Sequence, residues 1–296
     1  ENISQVITTG PPHSTHLVGM RLKKAFPDIF WLADFRDPWV NIYYNRHLSR
    51  WRTAWDKDKR LETSVLQTAD LISVISDGMR NEFEERAQEI VTIMNGYDKN
   101  DFPDSPQSMK EENFIVRYTG NFTDNQVVGS IWDAFAEVIE NHDLGDRIQF
   151  RFTGNVSQGI IDIISHYGLS DRVTLENYCP HSEAVQKMID ADLLLLIIPD
   201  APGNELIITA KIFEYLASGT PILGVGPENG NAADVLRQGG RAPMLRYTAN
   251  KQMKDRILRE LTEWGKDPKY RIKHNYIGVQ QFSRQVQAEK LVDIFK

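Results

Sequence analysis

Lys211 and Glu214 are the residues whose types and spacing are best suited to chemistry. Three positions apart on a helix, they share a face, so an ammonium and a carboxylate point the same way. A helix N-terminus adds free N–H groups and the positive end of the helix dipole. That combination suits a phosphorylated ligand: the lysine and N–H groups take phosphate, and the carboxylate takes hydroxyls. An ordinary helix–strand unit with two solvated charges explains the spacing as well. In Asp34-Phe35-Arg36-Asp37-Pro38-Trp39, Arg36 and Asp37 lie just past a strand's carboxyl end, where parallel sheets hold ligands. A salt-bridged loop pair is the plainer alternative there. His13 follows the preceding strand at a helix start, as a cap or as a catalytic group.

These side chains need elements to position them. The stretch TAKIFEYLASGTPILGVG, residues 209–226, reads as a short helix with an apolar stripe at Ile212, Phe213 and Leu216. Gly219 supplies the left-handed stop, and residues 221–225 form an apolar strand covered on both faces. Near the N-terminus, residues 6–10 read as a strand, 13–26 as a helix and 30–33 as a strand. That is the rhythm of a parallel sheet. Further strands are expected at 70–76 and 90–94, before a polar linker at 103–112. A second series follows, with strands at 114–120, 148–153, 173–175 and 192–198. Two of these strands lead into glycines, Gly120 and Gly154, where backbone can approach a phosphate; Asn121 opens the turn after the first. Asn177-Tyr178-Cys179-Pro180-His181 connects the third strand to a helix. Helices are expected at 230–237 and 249–264, with an amphipathic one at 282–295.

The 296 residues and 41% hydrophobic content suffice for two domains, each with a core. A net charge of −7 argues against a dedicated nucleic-acid binder. Cys179 is the only cysteine, so no disulfide forms within the chain and a reducing compartment is expected. No apolar run is long enough to span a membrane, and no targeting pattern is visible. The stretch 43–60 is basic and aromatic, with Trp51 and Trp55 four apart. It could lie on an anionic membrane or cover its own domain's core.

The pattern K-x-x-E-Y-L-x-x-G-x-P-I-L, beginning at Lys211, resembles the donor-site helix of the retaining family 4 glycosyltransferases of GT-B architecture. TTGPPHSTHL and ADFRDPW are similar to the acceptor side of the branch that builds bacterial surface polysaccharides. ADLISVISDGM with IVTIMNGYDKNDF resembles that family's inter-domain crossing. The resemblance implies an α/β fold with two Rossmann-like domains built on parallel sheets. Residues 1–104 would be an acceptor-side domain lacking its first part, and 105–280 the nucleotide-sugar domain. Residues 281–296 would form a helix crossing back to the first domain. It implies transfer of a sugar from a nucleotide-diphosphate donor to a glycan or lipid-linked acceptor, with no metal and no cofactor, the nucleotide sugar being a co-substrate. No nucleic acid is involved, and the expected location is cytoplasmic, peripheral on the inner face of the membrane through 43–60.

In that picture Lys211 meets the diphosphate and Glu214 the ribose hydroxyls. Gly120, Asn121 and Gly154 approach the donor phosphates, and Tyr178 and Cys179 hold the base. Arg36, Asp37 and His13 are the catalytic candidates. Three departures stand out. Arg36 occupies the position where many relatives carry a histidine. No Lys or Arg occurs between Gly120 and Arg147, where relatives usually have one. Leu206, with Glu205 beside it, stands where the first of two glutamates eight positions apart is expected. These leave open a non-catalytic nucleotide-sugar-binding or activating subunit, and a sugar-nucleotide epimerase of the same fold.

Overall fold

The computed structural model describes residues 3–41, 51–102, 112–266 and 278–295. The chain divides into two compact units, Glu1–Asn95 with Glu289–Lys296, and Gly96–Ala288. The first contains β1 (Gln5–Gly10), α1 (Ser14–Ala25), β2 (Phe30–Phe35), α2 (Arg52–Thr68), β3 (Leu71–Val74), α3 (Asp77–Phe83) and β4 (Ile90–Thr92). Its sheet runs β1-β2-β3-β4, all parallel, so each strand is laid outside the one before it. All four residues of β3 are buried, as expected of an inner strand with both faces covered. Edge strand β1 instead leaves alternate residues in water. Trp31, Phe35, Val65, Leu66 and Phe83 fill the core.

The second unit contains β5 (Phe114–Thr119), α4 (Gly129–Asn141), β6 (Ile148–Thr153), α5 (Gln158–His166), β7 (Val173–Glu176), α6 (His181–Asp190) and β8 (Leu193–Ile197). It continues through α7 (Lys211–Ser218), β9 (Ile222–Val225), α8 (Asn231–Gln238) and α9 (Asn250–Lys266) to the first half of α10 (Arg284–Asp293), whose residues from Glu289 on belong to the first unit. The sheet order is β7-β6-β5-β8-β9, again all parallel. The chain builds outward from β5 to β7, then returns to the other side of β5 with β8. This reversal opens a crevice at the carboxyl ends of β5 and β8, the place where open α/β sheets take ligands. Strands β5, β8 and β9 are buried throughout, and an aromatic cluster of Tyr118, Phe122, Trp132, Phe150 and Phe152 packs beside β5.

Two expectations change on contact with the structure. The terminal segment is helical, but among its helix residues only Gln287 is buried. Val286, Leu291 and Val292 point in different directions around the helix, so no apolar stripe forms. Trp51 precedes α2 in extended backbone and does not share the helix face of Trp55; it is 84% exposed, whereas Trp55 is half-buried. Arg46 and Arg50 of the basic stretch, and residues 103–111 of the expected linker, lie outside the described residues. No described helix is long and apolar enough to cross a membrane.

Candidate functional site

The switch point of the second sheet gathers several of the residues singled out above. Strand β5 leads into Gly120, whose φ of +95° is a backbone state that side chains rarely adopt. Gly154, after β6, has φ +115°, and a Cβ there would lie 2.7 Å from the Gly120 carbonyl oxygen. The two turns are locked to their neighbours by Gly120 N–H donating to Thr153 O (2.8 Å) and Gly154 N–H donating to Glu176 O (3.0 Å). Helix α7 begins beside them. It ends at Gly219, which adopts φ +79°.

Lys211, the first residue of α7, places Nζ 3.7 Å from the centroid of the Tyr118 ring. A Cβ on Gly120 would lie 3.5 Å from the same nitrogen. Among the described residues this ammonium makes no hydrogen bond or ion pair. Burial pulls its pKa down to about 7, against the pull of the Glu214 carboxylate. Tyr215, on the same helix, is fully buried, and its hydroxyl meets Thr119 N at 3.1 Å and Oγ1 at 3.2 Å. That contact pins α7 to the end of β5, and burial pushes the phenol up to about 12.

Glu214 lies one turn along α7, and its Oε1 is 2.9 Å from His181 Nε2. His181 opens α6, and its Nδ1 is 3.6 Å from Asp101 Oδ2. Below this group, Arg117 of β5 donates to Thr153 Oγ1 (2.9 Å) and to Glu176 Oε2 (2.7 Å), and Lys187 reaches the same oxygen at 3.1 Å. Burial opposes ionisation of Glu176, yet Arg117, Thr153 and Lys187 hold its carboxylate at about 2. This network ties three strands to α6 and anchors the turn carrying Tyr178 and Cys179. Tyr178 is 87% exposed, Cys179 is a half-buried free thiol, and Asn121 accepts weakly from Asn155 at 3.3 Å. Glu205, next to Leu206 in a 3-10 turn, is exposed.

The first unit holds a different cluster at its own carboxyl edge. His13 immediately precedes α1 but makes no side-chain capping bond. It stacks on Trp39 (5.3 Å) and Phe35 (5.6 Å). His16 is fully buried against Phe35, with ring centroids 4.4 Å apart. Trp31 Nε1–H donates to Thr8 Oγ1 at 2.9 Å, and that hydroxyl lies 2.9 Å from His16 Nδ1. Among the described residues, His13 Nδ1 and His16 Nε2 are buried without a hydrogen-bond partner. Burial, with the neighbouring His13, lowers His16 to about 3, and burial lowers His13 too, against a hydrogen bond with the Pro38 backbone. Arg36 does not reach outward: it donates to Ile93 O at 3.1 Å, contacts Asn95, and pairs with Asp34 at 3.5 Å. Asp37 is half-buried, and burial raises its pKa against the nearby Arg36.

The structure thus brings Gly120, Gly154, Lys211 and Glu214 together, with Tyr178 and Cys179 on the turn after β7. It groups His13 in an aromatic stack and Arg36 and Asp37 on the neighbouring loop. Tyr118, Asp101 and His181 join the site only through tertiary contacts. No spacing rule could have found them, because each meets its partner from a distant part of the chain.

An α/β chain with two parallel sheets of this kind has the GT-B fold of glycosyltransferases. Among solved structures it is similar to sucrose-phosphate synthase from Thermosynechococcus elongatus, at 17% identity and a TM-score of 0.70. That alignment covers 99% of this chain and 73% of the other. The pneumococcal O-GlcNAc transferase GtfA, solved with UDP and GlcNAc, aligns at 16% identity and TM-score 0.62, over 99% of this chain and 56% of its own. WaaG, a glycosyltransferase involved in lipopolysaccharide biosynthesis, aligns at 13% identity and TM-score 0.64, over 96% and 82%. No family model and no curated protein sequence matches this chain.

Proposed function

We propose that this chain is a retaining glycosyltransferase related to family 4, moving a sugar from a nucleoside-diphosphate donor to a glycan or lipid-linked acceptor. The observation that carries the reading is Lys211, a half-buried ammonium with no anionic partner in hydrogen-bond reach among the described residues, held over Tyr118 beside the left-handed Gly120. Burying an unpaired cation is costly, and a diphosphate would supply the missing counter-charge. The positive end of the α7 dipole adds to the same pull. Glu214 accepts the ribose hydroxyls, Gly120, Asn121 and Gly154 admit the phosphates, and the Tyr178–Cys179 turn meets the base.

When the sugar–phosphate bond breaks, charge accumulates on the departing diphosphate, and Lys211 with the helix N-terminus stabilises it there. His13, Arg36 and Asp37 are assigned to the acceptor side. The surface-polysaccharide role rests on the motif resemblance, and membrane contact rests on the exposed Trp51 and the basic residues around it.

A panel of UDP-, GDP- and ADP-sugars, assayed for nucleotide release with and without lipid-linked acceptors, tests the reading. Acceptor-dependent release supports it. Tight binding without release favours the non-catalytic subunit, for which the exposed Glu205 speaks. Release with C2 inversion and no acceptor indicates an epimerase.

A further inference from the structure

His181 is the only imidazole bonded to Glu214 among the described residues. Its ring lies between two carboxylates from different elements, Glu214 on α7 at 2.9 Å and Asp101 in the 3-10 turn Lys99–Asp101 at 3.6 Å. Arg284, at the start of α10, is the third charged group that faces it. We propose that His181 is a positioning residue for the Glu214 carboxylate and makes recognition of the ribose diol depend on pH. The inference rests on the reading of Glu214 as the ribose acceptor.

The geometry supplies the mechanism. A carboxylate has about four acceptor sites on two oxygens. His181 engages Oε1 alone, which fixes the carboxylate plane and leaves Oε2 and one Oε1 lone pair for a vicinal diol. A charged imidazolium donates from Nε2 to Glu214, while its Nδ1–H faces Asp101 at 3.6 Å as an ion pair rather than a hydrogen bond. A neutral ring has a single N–H for two acceptors, so one carboxylate then faces a lone pair. Deprotonation therefore frees Glu214 in part of the population, and a mobile carboxylate must be ordered again when ligand arrives. The Glu214 hydrogen bond raises the His181 pKa; burial lowers it, the Glu214 and Asp101 charges raise it, and Arg284 lowers it. Diol selectivity is accordingly highest below that pKa and declines as pH rises through it.

The test compares UDP, GDP and ADP with their 2′,3′-dideoxy analogues by calorimetry between pH 5.5 and 8.5. The ratio of the two affinities cancels titration of the phosphates and of Lys211, which both ligands share. In the parent protein the preference for the diol should fall with rising pH. His181→Ala should lower that preference about three- to tenfold at pH 6 and flatten its pH dependence. His181→Gln, which keeps an N–H donor but does not titrate, should restore the preference without the pH dependence.

Equal losses for ribo- and dideoxynucleotide in His181→Ala would make the residue merely structural and overturn the proposal. So would a larger diol preference in that variant, which would mean that His181 blocks Glu214. Glu214→Gln separates the underlying reading. If that variant keeps the parent's diol preference, or if none of the three nucleotides binds, the ribose assignment fails and the proposal with it.

Discussion

The two parallel sheets present opposite kinds of chemistry at their carboxyl edges. In the first, strands β1 to β4 follow one another outward without reversal, and the edge carries His13, His16, Phe35 and Trp39 in a stack. Burial lowers both rings, His16 to about 3 and His13 against the Asp58 charge, so the stack favours neutral imidazoles, and the charges at this edge sit beside it on Arg36 and Asp37. In the second, the order reverses between β5 and β8, and the crevice contains an ammonium, a carboxylate and two left-handed glycines. Its glycines let an anion approach closely, and its lysine waits for one. The difference shows that similar β-α units diverge through what burial does to their polar groups. Burial lowers an unpaired nitrogen in both, but His16 falls to about 3 and is neutral at pH 7, whereas Lys211 falls only to about 7 and keeps a charged fraction for a ligand.

The largest expected effect breaks the neutral side of this comparison. The folded state depresses His16 from 6.5 to about 3, so the unfolded chain binds its proton first as pH falls. The neutral ring's contribution is complete above 6.5 and fades towards pH 3, by on the order of 4 kcal/mol. His16→Gln should remove that slope from the acid limb of a stability–pH curve, at the cost of lower stability at pH 7. An unchanged slope would place the acid sensitivity elsewhere.

Next in size is the charged side. Lys211→Ala should weaken a nucleoside diphosphate roughly 10- to 100-fold, the equivalent of a charge-assisted hydrogen bond of about 1.5–3 kcal/mol, while barely altering the bare nucleoside. In the parent, diphosphate affinity should begin to fall as pH passes about 7, where the unliganded ammonium loses its proton. Lys211→Arg should bind without that pH dependence. Equal losses for nucleoside and diphosphate in the alanine variant would make the lysine structural.

A backbone probe follows. Gly154→Ala places a side chain at φ +115° and 2.7 Å from the Gly120 carbonyl oxygen, which should cost about 1–3 kcal/mol and weaken diphosphate binding. Gly10→Ala is the control in the first unit. There a Cβ would meet His13 Nδ1 and His16 Nε2, both at 2.7 Å, so stability should fall while calorimetry of the nucleotide is unchanged. The smallest effect is expected at Asp37→Asn, with turnover lowered about tenfold, near 1.4 kcal/mol, and nucleotide affinity retained. An unchanged rate would reduce Asp37 to a loop residue.

The sequence alone determined the elements. Apolar runs such as Leu193–Ile197 mark strands covered on both faces, and Gly120, Gly154 and Gly219 mark where the chain turns. The Lys211–Glu214 spacing needs only the helical repeat, because its geometry is local. Tertiary structure alone decided the rest. Lys211 rests on Tyr118, Glu214 meets His181, and Arg117 grips Glu176 because the reversal at β5 brings distant strands and helices to one edge. The neutrality of His16 was equally invisible, since a protonation state depends on how deeply a ring is buried and what faces it. Spacing along a chain fixes what lies on one face of one element; which faces meet, and which charges survive the meeting, is fixed by packing.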